Sequence, residues 1–485
     1  MSELFGIDFG TTNSAVVGLS NDKSRSYGDG EGQPYPSLIA IDKMTAKVVS
    51  RGRDTWKRRE ELRRECEIIV SPKTLLGSGK TWLIGGKEWT PENVVTEIFK
   101  GLQEKIQQRT RDDSAMNKAV VAIPIGFEPI KRKSLRKAAH AAGIEICGLI
   151  SEPTAAVYRH YETLRKWQKV AVFDWGGGTL DISVVELVSG NVREIATFGL
   201  RLGGDDIDEK IAKWTHNQIL RKKGGDISFD EMTGKARDEL IVKAEEAKRA
   251  LSDSDDAPIN LYDYGEFGGI NVSIHREIFL SLFEPEMDKA IMATRDAVKN
   301  ARISLEEIGA ILMVGGSSKL CGLYDRIQEA FPSCQVIPPD AESDWHTAHG
   351  AALLNQNRGQ YVLSQNVGLR LSDDTYFPLV REGEEIDNQV QTVNFVLVED
   401  SNSARFIFEE NTDNMPDSFG NGRKTLDYMT VPTYGFTKEP IELKYQIDEN
   451  LLFKAEARST NMNESARWEY EKLRFSYQLP GEDNE

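Results

Sequence analysis

Two short segments of this chain bring a carboxylate, glycines and hydroxyls within a few residues of one another. The first is Leu4-Phe-Gly-Ile-Asp8-Phe-Gly10-Thr11-Thr12-Asn13. The second is Val170-Ala-Val-Phe-Asp174-Trp-Gly176-Gly177-Gly178-Thr179-Leu-Asp181. A glycine turn lets backbone N–H groups approach phosphate oxygens with no Cβ in the way, and threonine hydroxyls add donors. An aspartate at the end of the strand can hold Mg2+ through water, because Mg2+ keeps much of its hydration shell. One such hairpin is as readily an ordinary Gly-rich turn. Two copies, each with Asp-x-Gly and a nearby Thr, point to a grip on a polyphosphate from two sides. Neither is a Walker loop, since no Gly-x-x-x-x-Gly-Lys-[Ser/Thr] occurs.

Two further stretches fit a nucleoside. Val314-Gly315-Gly316-Ser317-Ser318-Lys319 follows an apolar run and reads as a strand entering a glycine turn and then a helix. Its glycines would admit a flat ring or a ribose, although a plain strand–helix turn has the same composition. Lys248 and Ser252 stand at i and i+4 on a helix starting near Lys235, so they share a face.

The elements that must position these groups follow from the repeat. Each hairpin is an apolar strand, a turn and a second apolar strand, Ser14–Val17 in one and Ile182–Val185 in the other. A repeat at domain-sized spacing predicts two related lobes facing each other across a cleft. Hydrophobic content of 39% and charged content of 28% fit a soluble, globular chain, and 485 residues call for about three domains. The acidic excess behind the net charge of −17 is concentrated beyond residue 360, which argues against nucleic-acid binding there. No apolar run reaches membrane-span length, so no membrane partner is expected. The N-terminus lacks a secretory pattern, and Cys66, Cys147, Cys321 and Cys334 show no Cys-x-x-Cys pair. A reducing, cytoplasmic compartment is the expectation.

As a set, these residues resemble the 70-kilodalton heat-shock (DnaK-type) chaperone family. Five blocks match in order: Gly6-Ile-Asp-Phe-Gly-Thr-Thr-Asn-Ser14, Ala119-Val-Val-Ala-Ile-Pro124, Ile150-Ser-Glu152-Pro-Thr-Ala-Ala156, Phe173-Asp-Trp-Gly-Gly-Gly-Thr-Leu-Asp181 and Val314-Gly-Gly-Ser317. The resemblance implies an α/β, actin-like, two-lobed ATPase domain over 1–355, hydrolysing ATP to ADP slowly. It implies that Asp8 and Asp174 hold Mg2+, with K+ as a further candidate ion. Gly10, Thr11, Thr12, Asn13, Gly176, Gly177, Gly178 and Thr179 would take the phosphates. Lys73, Glu152 and Asp181, with Thr179, would be catalytic. Glu245, Lys248, Arg249, Ser252, Gly315, Gly316, Ser317 and Asp344 would hold the nucleoside of ATP or ADP. Pro124 and Arg132 fall at the family's relay between domains.

The chain also departs from the family. Trp175 replaces a smaller apolar residue, Lys319 replaces an arginine beside adenine, and Pro129 and Ile130 replace small polar residues. Residues 356–370 read as a linker and 371–460 as a small antiparallel, β-sandwich-like peptide-binding domain. Its clearest hairpin is Ile441–Ile447 with Leu451–Ala457, turning at Asp448-Glu-Asn450. Residues 461–485 read as a short helix over 464–475 and an acidic tail, with no helical lid. The mixed-sign run 51–64 reads as an exposed helix, and His346 and His349, at i and i+3, as packing or surface residues. The function expected is an ATP-dependent chaperone for extended polypeptide, partnered by a J-domain protein and an exchange factor. The alternatives are a nucleotide-controlled adaptor for one dedicated protein and an actin-like filament ATPase.

Overall fold

The repeat in the sequence is a repeat of sheet topology. In the computed structural model, which describes residues 3–20, 23–29, 32–109, 116–188, 190–232, 234–356, 359–411, 422–460 and 462–479, strand Leu4–Phe9 pairs antiparallel with Asn13–Ser20. It pairs parallel with Lys118–Ile123, which pairs parallel with Glu145–Ser151. The second copy repeats this. Lys169–Trp175 pairs antiparallel with Leu180–Val188 and parallel with Ala310–Val314, which pairs parallel with Gln335–Ile337. Strands buried on both faces read as near-continuous apolar runs, and these do.

The chain divides into two compact units, Met1–Leu187 with Glu194–Arg358, and Val188–Arg193 with Gly359–Glu485. A large core lies against each of these two sheets of the first unit. Phe5, Ile7, Phe9, Phe99, Val121 and Leu135 lie in one core. Phe173, Trp175, Ile182, Leu240, Phe283 and Met313 lie in the other. Trp175 is wholly buried between the rings of Phe173 and Phe283, and its indole N–H donates to the Leu202 carbonyl at 3.0 Å. A large ring at this position therefore anchors the second hairpin to the core of its lobe.

Helix His346–Gln356 packs back onto the first sheet. Contact this close requires glycine. A Cβ on Gly6 would lie 2.1 Å from the Ala352 nitrogen, and one on Gly350 would lie 1.9 Å from the Ala155 carbonyl oxygen. Strand Leu4–Phe9, helix Glu152–Arg159 and helix His346–Gln356 are thus seated on one another at backbone distance. His346 is buried, bonding to Asp340 and His160, and His349 accepts from Arg159 at 3.1 Å.

The second unit is antiparallel. Strands Tyr376–Val380, Asn366–Arg370, Ser403–Asn411 and Arg423–Pro432 form one sheet in that order. Gln391–Val396, Pro440–Ile447, Phe453–Ser459 and Ala466–Tyr470 form the other. One core joins them, centred on Phe408 stacked on Trp468 at 3.8 Å and on Phe453. The Pro440–Ile447 hairpin turns where expected, with Asp448 accepting from the Asn450 and Leu452 N–H groups.

Three expectations change. Segment 356–370 is not an open linker, because it carries strands Gln360–Leu363 and Asn366–Arg370. Val362, Leu363, Val367 and Leu369 are buried, so its scattered apolar residues serve a core. Segment 464–475 is not a helix. Ala466–Tyr470 is a strand on Phe453–Ser459, because the alternation Ala466, Trp468, Tyr470 puts these three side chains on one face of the strand, where Trp468 meets the core. The acidic tail 481–485 lies outside the described residues. Run 51–64 forms two short helices, Arg53–Lys57 and Arg59–Leu62, in place of one exposed helix.

Substituting Gly6→Ala is expected to lower unfolding stability by about 1–3 kcal/mol through overpacking against helix His346–Gln356. Trp468→Ala is expected to cost about 3–5 kcal/mol in the second unit. Urea titrations of each variant followed by tryptophan fluorescence and circular dichroism check both values.

Candidate functional site

The two hairpins face each other across a cavity of about 810 Å³ within the first unit. The sheet registers place the carboxylates at its floor. Asp8 stands opposite Ala15, one residue before the end of its strand, and Asp174 stands opposite Asp181. The first turn is held by Ser37, whose N–H donates to the Thr12 carbonyl at 2.7 Å and whose hydroxyl donates to the Gly10 carbonyl at 3.2 Å. The second turn closes on itself through the Gly176 N–H to the Thr179 carbonyl at 2.9 Å.

The N-terminus of helix Gly204–Lys223 braces the second turn. The Gly204 and Asp205 N–H groups donate to the Gly176 and Gly177 carbonyls at 3.1 and 2.8 Å. The third glycine site joins them, with the Ser317 hydroxyl donating to the Gly176 carbonyl at 2.9 Å. Glycine is required where these segments meet. A Cβ on Gly178 would lie 2.4 Å from Thr12 Oγ1, on Gly203 2.1 Å from the Gly177 carbonyl oxygen, and on Gly315 2.5 Å from Asp174 Oδ1. Gly315 also has φ of 83°, a conformation side chains disfavour.

Lys73 sits on the short 3-10 helix Pro72–Leu75, entered through Ser71 in the left-handed region at φ 50°. Its side chain is buried, its ammonium donates to Glu152 Oε1 at 2.7 Å, and it lies 6.0 Å from the centre of the Phe9 ring. Glu152 begins helix Glu152–Arg159, fixed by Ser151, whose hydroxyl accepts from the Thr154 N–H.

These charges repel one another out of water. Burial, then Glu152, pushes the Asp8 carboxyl up to about 7, against the pull of Lys73. Burial and Glu152 raise Asp181 to about 6. Asp174 lies well above the usual carboxylate range, from burial first and then Asp8, Glu152 and Asp181. A donor set of buried carboxylates short of positive charge fits a hard divalent cation, and the glycine-lined turns beside it fit phosphate oxygens.

Every residue named from the sequence for catalysis, metal or nucleotide lines this cavity, from Asp8 through Asp344. Some arrive with partners already. Lys248 is paired with Asp208 at 2.7 Å and donates to the Gly204 carbonyl at 3.0 Å, so it organises the wall more than it projects from it. Lys319 is paired with Asp344, and Arg249 with Glu245. Pro124 lines the same cavity. Arg132 acts on Glu194, which accepts from Ser151 and from Thr154 at 3.1 Å, next to Glu152.

Other residues carried no sequence signal. Arg53 lies in the run expected to be solvated, yet it donates to Asp29 at 2.5 Å and to Glu245, in the opposite lobe, at 3.2 Å. Asp205 and Asp208 also line the cavity, and burial raises their carboxyls to about 7 and about 6. Both stand in the stretch Gly203-Gly-Asp-Asp-Ile-Asp208.

Comparison with known proteins gives a consistent result. A family model described as Hsp70 protein matches residues 73–357. The chain is similar to the chaperone protein DnaK of Mycoplasma mobile, 30% identical over 364 residues, covering 72% of this chain and 58% of the relative. It is similar to that of Mycoplasmopsis synoviae, 31% identical over 359 residues with the same shares. It is also similar to that of Metamycoplasma hominis, 27% identical over 477 residues, covering 95% of this chain and 78% of the relative. The matched region thus spans about 58% of the length of the first two curated relatives. With the duplicated hairpins, the glycine-lined cavity and these matches in agreement, the chain belongs to the Hsp70 family.

Proposed function

We propose that this protein hydrolyses ATP to ADP and phosphate and uses the nucleotide state to switch its grip on extended polypeptide, as a chaperone. The observation that carries the reading is the convergence of Lys73, Glu152, Asp8, Asp174 and Asp181 in one cavity between two glycine hairpins. Backbone N–H groups of the Gly10–Asn13 turn and of Gly177–Thr179 in the Gly176–Thr179 turn, with the Thr11, Thr12 and Thr179 hydroxyls, bind and orient the triphosphate. Asp8 and Asp174 would hold Mg2+, which would supply neutralisation of charge on the phosphate oxygens. Lys73 stabilises the negative charge that develops on the transferred phosphoryl group. Glu152 fixes the Lys73 ammonium, and with Asp181 positions the attacking water and receives its proton. Glu245, Arg249, Ser252, Gly315, Gly316, Ser317 and Asp344 hold the nucleoside, with Lys248 bracing the turn beneath it.

The second unit supports the polypeptide part of the reading. It exposes Val390, Val396, Val398, Tyr428, Tyr434 and Phe436, large apolar side chains that its own core leaves uncovered. A J-domain protein and an exchange factor are the partners that follow for such a cycle.

Lys73→Ala is expected to slow single-turnover ATP hydrolysis by about 100- to 1000-fold while leaving ATP affinity within a few-fold. Quenched-flow hydrolysis and calorimetric titration read the two effects separately. Anisotropy of a labelled, extended apolar peptide should show weaker binding with Mg-ATP than with Mg-ADP. No peptide binding in either state would transfer the reading to an adaptor for one dedicated partner.

The raised carboxyls set a pH dependence. Bound Mg2+ favours the ionised forms of Asp8, Asp174 and Asp181, so the metal-loaded state has lower pKa values than the free site. Through Asp8 and Asp181, Mg-nucleotide affinity then falls as pH drops through about 7 to 6. Calorimetry in buffers of different ionisation enthalpy should register proton release at pH 6.5. Affinity that stays level from pH 5 to pH 8 would contradict this.

A further inference from the structure

Helix Arg59–Leu62 of the first lobe lacks a local cap. Its N-cap residue is Arg58, which makes no side-chain capping bond. The N–H groups of a helix's first turn have no partner within the helix. Here two of them are met from the other lobe. Asp238, on helix Lys235–Ala250, accepts through Oδ2 from the Glu60 N–H at 2.7 Å and the Glu61 N–H at 3.2 Å. These are the second and third helical positions, the ones an N-cap aspartate ordinarily serves. Asp238 is 1% exposed, and its Oδ1 is buried with no hydrogen-bond partner among the described residues.

A carboxylate drawn from water with one oxygen uncompensated is costly. Protonation removes that cost without removing the cap, because Oδ2 remains an acceptor when the proton sits on Oδ1. We propose that Asp238 is a proton-coupled latch between the lobes: when the cleft closes, its side chain caps helix Arg59–Leu62 and takes up a proton on Oδ1, so acidification holds the cleft shut.

The surrounding charges do not override this. From the facing helix, Arg59 favours the ionised form and Glu60 opposes it. Arg63 is engaged by Glu60 at 3.0 Å, and Glu61 by Arg58 at 3.2 Å. From helix Arg53–Lys57, Arg53 is engaged by Asp29 and Glu245. From helix Gly204–Lys223, Glu209 pairs with Arg237 at 3.4 Å and Asp208 with Lys248 at 2.7 Å. On the latch's own helix, Lys235 pairs with Glu239 at 3.4 Å.

Burial dominates and brings the closed-state carboxyl up to about 6, whereas an open, hydrated aspartate stays near 3.8. The closed state therefore binds the proton more tightly. Its proton-linked advantage is full below the open-state value and is lost as pH rises through about 6. Between pH 7.5 and pH 5 the closed-to-open ratio should rise about tenfold. The consequence for nucleotide residence rests on the proposed ATPase reading, but the latch itself does not.

Hydrogen exchange of the Glu60 and Glu61 amides tests the latch in the full chain without nucleotide. Protection, corrected for intrinsic exchange, is expected to increase about tenfold from pH 7.5 to pH 5. Asp238→Asn, whose carbonyl keeps the cap with no charge, should hold protection within about twofold across that range. Asp238→Ala should lose at least threefold at both ends. An unchanged pH slope in Asp238→Asn, or full protection in Asp238→Ala, would overturn the proposal. A failure to bind Mg-ATP would count against the ATPase reading alone, because these amides are read in its absence.

Discussion

Everything in the first unit is arranged around a set of carboxylates that oppose each other's charge in a dry cleft. Asp8, Glu152, Asp174 and Asp181 share the ammonium of Lys73, and burial deepens their repulsion. Such a cluster has no value to a folded chain on its own, since removing charge from water is unfavourable unless something compensates it. A cation bound among these carboxylates would offset that repulsion.

Holding that cluster requires stiffness, and the fold supplies it twice. Each lobe presents its aspartate from a central strand flanked by an antiparallel and a parallel neighbour, so the position of Asp8 or Asp174 is fixed by hydrogen bonds on both sides. Glycine then permits the close approaches that bring turns, strands and helices to backbone contact around the cavity. Trp175 and the Gly6–Ala352 contact do the same work from behind, as packing with no room to shift. At the periphery of the cleft the two lobes meet through single side chains, Arg53 on Glu245 and Asp238 on the Glu60 and Glu61 N–H groups.

Much of this was legible in the sequence because local chemistry repeats. Strand, Asp-x-Gly and hydroxyl turn form a local pattern, so the hairpins, their lobes and every lining residue named from them could be read before folding. The β-hairpin at Asp448 was legible for the same reason. Elements whose identity depends on distant partners were not. Segment 356–370 looked like a linker because its few apolar residues find their core only in the folded unit. Segment 464–475 admitted a helix until Trp468 was placed against Phe408. Run 51–64 looked solvated because mixed charge gives no sign that its partners, Glu245 and Asp238, lie in the opposing lobe.

The sequence alone determined the two phosphate-fitting hairpins and the expectation of two lobes, since both are written in residue types at short and repeated spacings, whereas Lys73, Glu152, Glu245, Arg249 and Asp344 were named only through the family resemblance. Only the tertiary structure decided which charges are paired, which are stranded and which lobe caps which helix. Those outcomes depend on dielectric and distance between groups up to 192 residues apart. Neither quantity exists in the chain until the cleft has formed.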